Sequence, residues 1–263
     1  MSGQSYHKNK FNRAIMYNLL NKLLFLISKR QPCVLMKRVL RFLVLLLLAG
    51  SFRTESPDYY AFPLERFVQL PELKSGVDAC HPNYELLDAA IFHLTNQTRS
   101  QFGLKLLQYD SGLHQTAQGY ATDMIQMGFY GHNHPYSPSL TTLSQRVKVH
   151  TWAFLKKGEN IGQYQLVDTA LEYCCRKKRD GPFEYFDCES KTVYHPYTYE
   201  GFAQYAVGEW MKSPGHRRNL LDSTYTHLGA AARISKDPYG TCSAPFGRFV
   251  QNFGAIKPEV AKQ

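Results

Sequence analysis

From Asn83 to Leu104, in "NYELLDAAIFHLTNQTRSQFGL", apolar residues return every three or four positions: Leu86, Leu87, Ala90, Ile91 and Leu94, with Thr95 on the same stripe. That spacing lays one face of an α-helix against a core and fits no strand. Asn83 stands where an N-cap belongs, and Gly103 where a helix stops. The period recurs from Ser111 to Met127, with Leu113, Ala117, Tyr120, Ala121, Met124 and Ile125 inward and Gly128 at the close. A shorter helix is expected over Leu140–Val149, after the turn "PYSPS". Another runs through "YEGFAQYAVGEWMK", where Phe202, Ala206 and Trp210 share a face until Pro214 and Gly215 stop it. Toward the C-terminus the period falls to two, in "HLGAAARIS" and "GRFVQNFG". These are two strands joined by a loop carrying Asp237, Pro238, Gly240 and Gly247. Helices first and antiparallel strands last is an α+β pattern.

The chain of 263 residues carries a formal charge of +10, which ordinarily points to nucleic acid or an anionic surface. Nine of its 31 basic residues fall within residues 1–51, where no acidic residue occurs; the other 22 stand against 21 acidic residues. The body is therefore nearly neutral, with no phosphate-binding footprint, and nucleic acid is not an expected partner. The stretch "MKRVLRFLVLLLLAGSF" accounts for much of the asymmetry. Lys37, Arg38 and Arg41 precede the apolar run Phe42–Leu48, and Ala49 and Ser51 sit where a signal peptidase site requires small residues. The run is shorter than the roughly 20 residues of a membrane-spanning helix. Residues 36–51 thus read as a signal peptide, with an uncleaved N-terminal anchor as the alternative and the sole expected membrane contact. Residues 1–35 read as a basic extension upstream of a true start at Met36. Residues 52–82, with Pro57, Pro63, Pro71 and Pro82, read as a linker or arm, and residues 255–263 as a tail.

Export permits disulfides. Cys33 precedes the leader and is lost with it, which leaves Cys80, Cys174, Cys175, Cys188 and Cys242. Two bridges and one free thiol are the natural count, with the pairing open. Cys174 and Cys175 are adjacent and do not pair with each other, since a vicinal bridge strains the peptide between them. Three of the five lie in an insert, residues 164–200, that also holds the basic run Arg176–Arg179 and many tyrosines. It reads as a disulfide-pinned surface loop, or as a loop over a cleft. Asn96-Gln97-Thr98 is a formal glycosylation sequon placed inside a helix rather than a loop.

The side chains able to do chemistry are His132 and His134 in "FYGHNHP", Glu159 in "KGENIGQ", Glu209 in "GEWMK" and His216 in "SPGHRRN". A His-x-His pair can clamp a metal, and two imidazoles with a carboxylate can hold Zn²⁺ with a position open for water. No G-x-S-x-G elbow, H-E-x-x-H helix or glycine-rich phosphate loop is present. Ser213 lies three residues before His216, but the intervening Pro-Gly turn does not support a nucleophile–base pair.

Taken in order, "LTNQTRSQFGLKLL", "ATDMIQMGFYGHNHP", "GENIG", "WMKSPGHRRNLLDSTYTHLGAA" and "FVQNFG" resemble the CAP superfamily, the cysteine-rich secretory, antigen 5 and pathogenesis-related proteins with an SCP-like domain. The resemblance covers residues 83–254, and its compact "SPGHR" form is similar to the bacterial branch. It implies a three-layer α-β-α sandwich with a small antiparallel sheet between helices, and a central cleft with two histidines and acidic residues. His132, Glu159 and His216 fall on the family's positions. His134 does not, and is expected to be a turn residue. The family's second glutamate falls on Ser213 here, so Glu209, one helical turn earlier, is the candidate substitute.

The reading that follows is a secreted protein whose cleft binds Zn²⁺, another divalent cation or a small ligand without turnover, in contact with an unidentified extracellular partner. The first alternative is a zinc-assisted hydrolase with His132 and His216 as ligands and Glu159 as base. The second is a lipid or sterol carrier.

Overall fold

The computed structural model describes residues 57–256 apart from 170, 171 and 180. The extension, the leader and residues 257–263 lie outside the described residues, together with the expectations placed on them. The helices are α1 (Leu64–Phe67), α2 (Tyr84–Gln101), α3 (Ser111–Gln126), α4 (Leu143–His150), α5 (Tyr199–Lys212) and α6 (Pro214–Leu221). The strands are β1 (Gln108–Tyr109), β2 (Lys156–Gln165), β3 (Cys174–Lys177), β4 (Phe183–Phe186), β5 (His227–Ile234) and β6 (Phe246–Ala255).

Local chemistry sets the helix ends. Asn83 accepts from the Leu86 N–H at 3.1 Å, and Asp110 from the Leu113 N–H at 2.7 Å, which satisfies donors that the first turn leaves free. Thr142 and Gln145 close a reciprocal capping box on α4. Beyond α2 and α3 the chain turns at Gly103 and Gly128, both with φ near +70° (68° and 69°), where a Cβ is strained.

Four strands form one sheet in the order β1-β5-β6-β2. The pairs β5–β6 and β6–β2 are antiparallel, whereas β1 runs parallel to β5, so the sheet is mixed at one edge rather than wholly antiparallel as expected. The short link from α2 to α3 follows the open edge of β5 instead of turning back in a hairpin. Along β5 and β6 the two-residue period splits the side chains between two helical layers. Ala230, Ala232, Phe249 and Phe253 pack with α2 and α5, while Ala231 and Val250 pack with Ala117, Tyr120, Ala121 and Met124 of α3. The result is the three-layer α-β-α sandwich. Gly229 permits it, because a Cβ there would lie 2.0 Å from the His114 amide at the start of α3.

The packed unit begins at Asp58 rather than Asn83. Tyr59, Phe67, Leu73, Val77 and Ala79 of the supposed linker or arm are buried in the α2–α5 core. Its prolines fix turns instead of loosening the chain: Pro63 precedes α1 and Pro71 opens a 3₁₀ turn. His93 of α2 holds this segment down, with Nε2 at 2.9 Å from the Tyr59 carbonyl and its ring stacked on Phe67. The insert folds as a β3–β4 hairpin. Cys174 bonds Cys188, and Cys175 bonds Cys242 in the β5–β6 connection, while Cys80 is free and exposed. The Asn96 amide donates to and accepts from Leu107 inside the core, so the sequon offers no acceptor at the surface.

Two outcomes are expected. Peptide mapping without reduction recovers the 174–188 and 175–242 bridges, with only Cys80 alkylated among these five; any other pairing overturns the assignment. Burial lowers the His93 pKa below its ordinary 6.5, against the opposing pull of the Tyr59 carbonyl. The unfolded chain then binds the proton more readily, so stability is whole above pH 6.5 and falls as the pH drops below it. His216 and His227, also lowered by burial, add in the same direction. The urea midpoint at pH 5 should lie below that at pH 7.5, and a flat profile would contradict this.

Candidate functional site

The edge strand β2 organises the site because its successive residues face different layers. Glu159, opposite Asn252, meets Arg146 of α4; Asn160, opposite Gln251, meets α6. Arg146 and Glu159 are both buried, with Nη2 at 2.7 Å from Oε2. The guanidinium also donates from Nη1 to the carbonyls of Leu140 and Thr141, and lies 3.6 Å above the Tyr120 ring. A buried ion pair survives only when its remaining valences are met, and here bonds and a ring face meet most of them. Burial, opposed by Arg146 and reinforced by Glu159, pushes the Tyr120 phenol up to about 12. Its hydroxyl stays protonated and donates to the Gly131 carbonyl at 2.5 Å, which fixes the loop that carries His132.

His132 Nδ1 lies 2.9 Å from the second oxygen of Glu159. A carboxylate only accepts, so Nδ1 carries a proton and Nε2 is the ring nitrogen left free of Glu159. His216, on the first turn of α6, brings its ring centroid to 6.5 Å from that of His132. Burial, and then the neighbouring His132 ring, lower its pKa, which favours the neutral imidazole. The two rings come from opposite layers and meet around the sheet edge. On the α6 side Asn160 Nδ2 donates to the His216 carbonyl and to Gln251. Asn219 in turn donates to Asn160 Oδ1 and to the Glu159 carbonyl.

His132, Glu159 and His216 are thus brought together. His134 is apart: it is buried, with Nδ1 accepting from the Tyr136 and Ser137 N–H groups as the organiser of its own turn. Among the described residues Glu209 makes no hydrogen bond or ion pair to His132, Glu159 or His216. Its carboxylate pairs with Lys212 Nζ at 2.6 Å, and its charge bears on Tyr164 and Tyr197 instead. Helical spacing suggested the substitution; Ser213 is the C-cap of α5, one turn beyond Glu209. Ser213 bonds through its backbone, to the carbonyls of Glu209 and Trp210 and from the Arg217 N–H. Among the described residues no cluster of three or more His, Cys, Asp or Glu side chains is arranged to hold a metal. Sequence reasoning missed Arg146, Asn160, Asn219 and Gln251. The last three lie within or beside the quoted motifs; Arg146 carried no signal beyond being the one cation on a short helix's inner face.

Residues 92–253 match the family described as "CAP: Cysteine-rich secretory protein family". Two proteins of Bacillus subtilis strain 168 are similar over 139 residues, 53% of this chain. They are the uncharacterized membrane protein YlbC, at 30% identity over 29% of its length, and the uncharacterized protein YkwD, at 27% over 39%. The match therefore spans well under half of either relative. Among solved structures, an extracellular protein with an SCP domain from Bacillus anthracis str. Ames is 26% identical, with a TM-score of 0.43 over 65% of this chain and 41% of that one.

Truncating Arg146 to Met leaves a charged, buried Glu159 without its cation. The expected loss is about 3–5 kcal/mol of unfolding free energy at pH 7, partly restored when Glu159→Gln is added. A loss under about 1 kcal/mol in urea titrations would show that the carboxylate is not the buried anchor described above.

Proposed function

The chain belongs to the cysteine-rich secretory protein (CAP) family, and on that premise we propose that its edge-strand cleft is a two-histidine binding site for Zn²⁺ or another divalent cation, working without turnover in an extracellular protein. The observation that carries this reading is the double engagement of Glu159. Arg146 holds one oxygen and His132 Nδ1 the other, which makes the carboxylate a support for the imidazole. A carboxylate that fixes the tautomer and orientation of a ligating histidine is a recurring partner of bound zinc. The same engagement weighs against the hydrolase alternative, in which Glu159 takes a proton from water.

The donors fit the ion. With Nδ1 committed to Glu159, the neutral form of His132 offers the Nε2 lone pair, and burial favours the neutral form of His216. Two imidazoles on one tetrahedral Zn²⁺ place their ring centroids roughly 5 Å apart. The observed separation is 6.5 Å, so the rings would have to close on a bound ion. Two protein ligands leave the remaining positions to water or to groups from a partner, so bound metal would supply Lewis acidity toward an incoming ligand. Arg146, Tyr120 and Asn160 hold the frame, and the exposed flank of His132 supplies access. Export rests on the leader Met36–Ser51.

Calorimetry with zinc on the wild type, His132→Ala, His216→Ala and His134→Ala tests the proposal. Binding should be lost in the first two variants, at least ten-fold weaker, and nearly intact in the third. Glu159→Gln should weaken binding by about 10–100-fold while leaving the ligands in place. Peptide and ester hydrolysis should be absent with or without chelator. Chelator-sensitive turnover abolished by Glu159→Gln would establish the hydrolase instead, and loss of zinc binding in His134→Ala would restore the local His-x-His clamp.

A further inference from the structure

The segment between α4 and β2 leaves three large apolar side chains in solvent: Val149 is 62% exposed, Trp152 77% and Leu155 71%. The loop that carries them is not loose. Phe154 is buried with Leu113 and Val147, and Thr151 fits against Gly112, where a Cβ would come within 2.8 Å. The Thr151 N–H returns to the Val147 carbonyl, and the Leu155 N–H donates to the Ala255 carbonyl, which brings the half-exposed Ile256 alongside. A pinned loop that turns one aromatic ring inward and presents Trp152 and Leu155 outward is a built apolar surface, unlike singly scattered exposed residues.

Its surroundings are basic. From Met124 to Gly158 the chain has no Asp or Glu, and Lys148, His150, Lys156 and Lys157 flank the apolar residues. The Lys148 ammonium lies over the Trp152 ring at 5.2 Å, and Lys157 Nζ donates to the Phe154 carbonyl. Lys156 is paired with Asp222, and Asp110 approaches the loop near Thr151 through Gly112. We propose that residues 148–157 form an interfacial docking loop that seats Val149, Trp152 and Leu155 in the headgroup layer of an anionic lipid bilayer. Tryptophan and leucine enter that layer while flanking lysines meet anionic headgroups. A second copy of the chain is a poor occupant, because its own lysines would face these. The site is separate from the histidine cleft and does not rest on metal binding there. It also differs from the leader, which was the only membrane contact expected from the sequence.

The chain has two tryptophans, exposed Trp152 and fully buried Trp210, so fluorescence reads the loop itself in the full chain. With vesicles of phosphatidylcholine and phosphatidylglycerol, Trp152 emission should shift to the blue and be quenched by brominated acyl chains. Neutral phosphatidylcholine vesicles should give neither effect. Trp152→Phe, a surface change that leaves the core intact, should abolish the response and leave a Trp210 signal indifferent to lipid. Lys148→Glu and Lys157→Glu should each weaken binding about five-fold or more. Chain that co-sediments with these vesicles while Trp152 stays unquenched would overturn the proposal and assign the contact to another segment. Absence of vesicle binding, or a Trp152 blue shift that depends on protein concentration without lipid, would overturn it too.

Discussion

A carboxylate that is charged, buried and held from two sides is the constraint around which this domain is arranged. Glu159 sits on the edge strand of the sheet, where a polar side chain would ordinarily face water. Instead Arg146 reaches it from α4 and His132 from the loop after α3. Taking both charges out of water is costly, and the geometry offsets that cost because the Leu140 and Thr141 carbonyls and the Tyr120 ring take up most of the remaining guanidinium. Each of those groups is thereby fixed in turn, including the loop whose Gly131 carbonyl takes the Tyr120 hydroxyl. One ion pair thus positions an exposed imidazole.

The other face of the same strand is secured without charge. Asn160, Gln251, Thr95 and Asn219 form a buried chain of amide and hydroxyl bonds that joins β2, β6, α2 and α6. Trp210 of α5 adds its indole N–H to the Ile161 carbonyl at 3.0 Å. A sheet edge is an exposed template for further pairing unless something covers it. Here both helical layers close on it, and the closure is what carries His216 around to His132. Cleft and edge protection are one arrangement.

How much of this was legible follows from which interactions are local. Asn83, Asp110 and the glycines after α2 and α3 mark helix ends through their own backbone needs, and the stripes between them could be read directly. The alternation in "HLGAAARIS" and "FVQNFG" gave β5 and β6 for the same reason. The convergence of His132, Glu159 and His216 was legible only through resemblance, since nothing local brings together residues from three elements. One reading failed where tertiary contact overrode composition. Residues 52–82, with four prolines, read as a linker or arm because their apolar residues lack a period, yet Phe67 and Leu73 are fully buried. Glu209 read as a candidate cleft residue from helical spacing, and its ion pair is made locally, to Lys212 on the same helix. Arg146 was invisible because a buried cation leaves no periodic trace of the anion it meets.

The helix that supplies Arg146 also leads into the apolar loop, and this couples the two surfaces. Arg146 and Val149 are three residues apart on α4, about 4.5 Å along its axis, with one side chain buried against Glu159 and the other in solvent. On the far side of the loop β2 begins at Lys156 and reaches Glu159 three residues later, about 10 Å along the strand. The loop is therefore bounded at both ends by residues of the Glu159 frame, and Phe154 ties it to the α3–α4 core in between. No hinge intervenes. A surface that captured Trp152 and Leu155 would then fix the height of the histidine cleft above it to within the rigidity of α4. Loosening Arg146 would disturb the loop as well as the imidazole, because both are held by the same short helix.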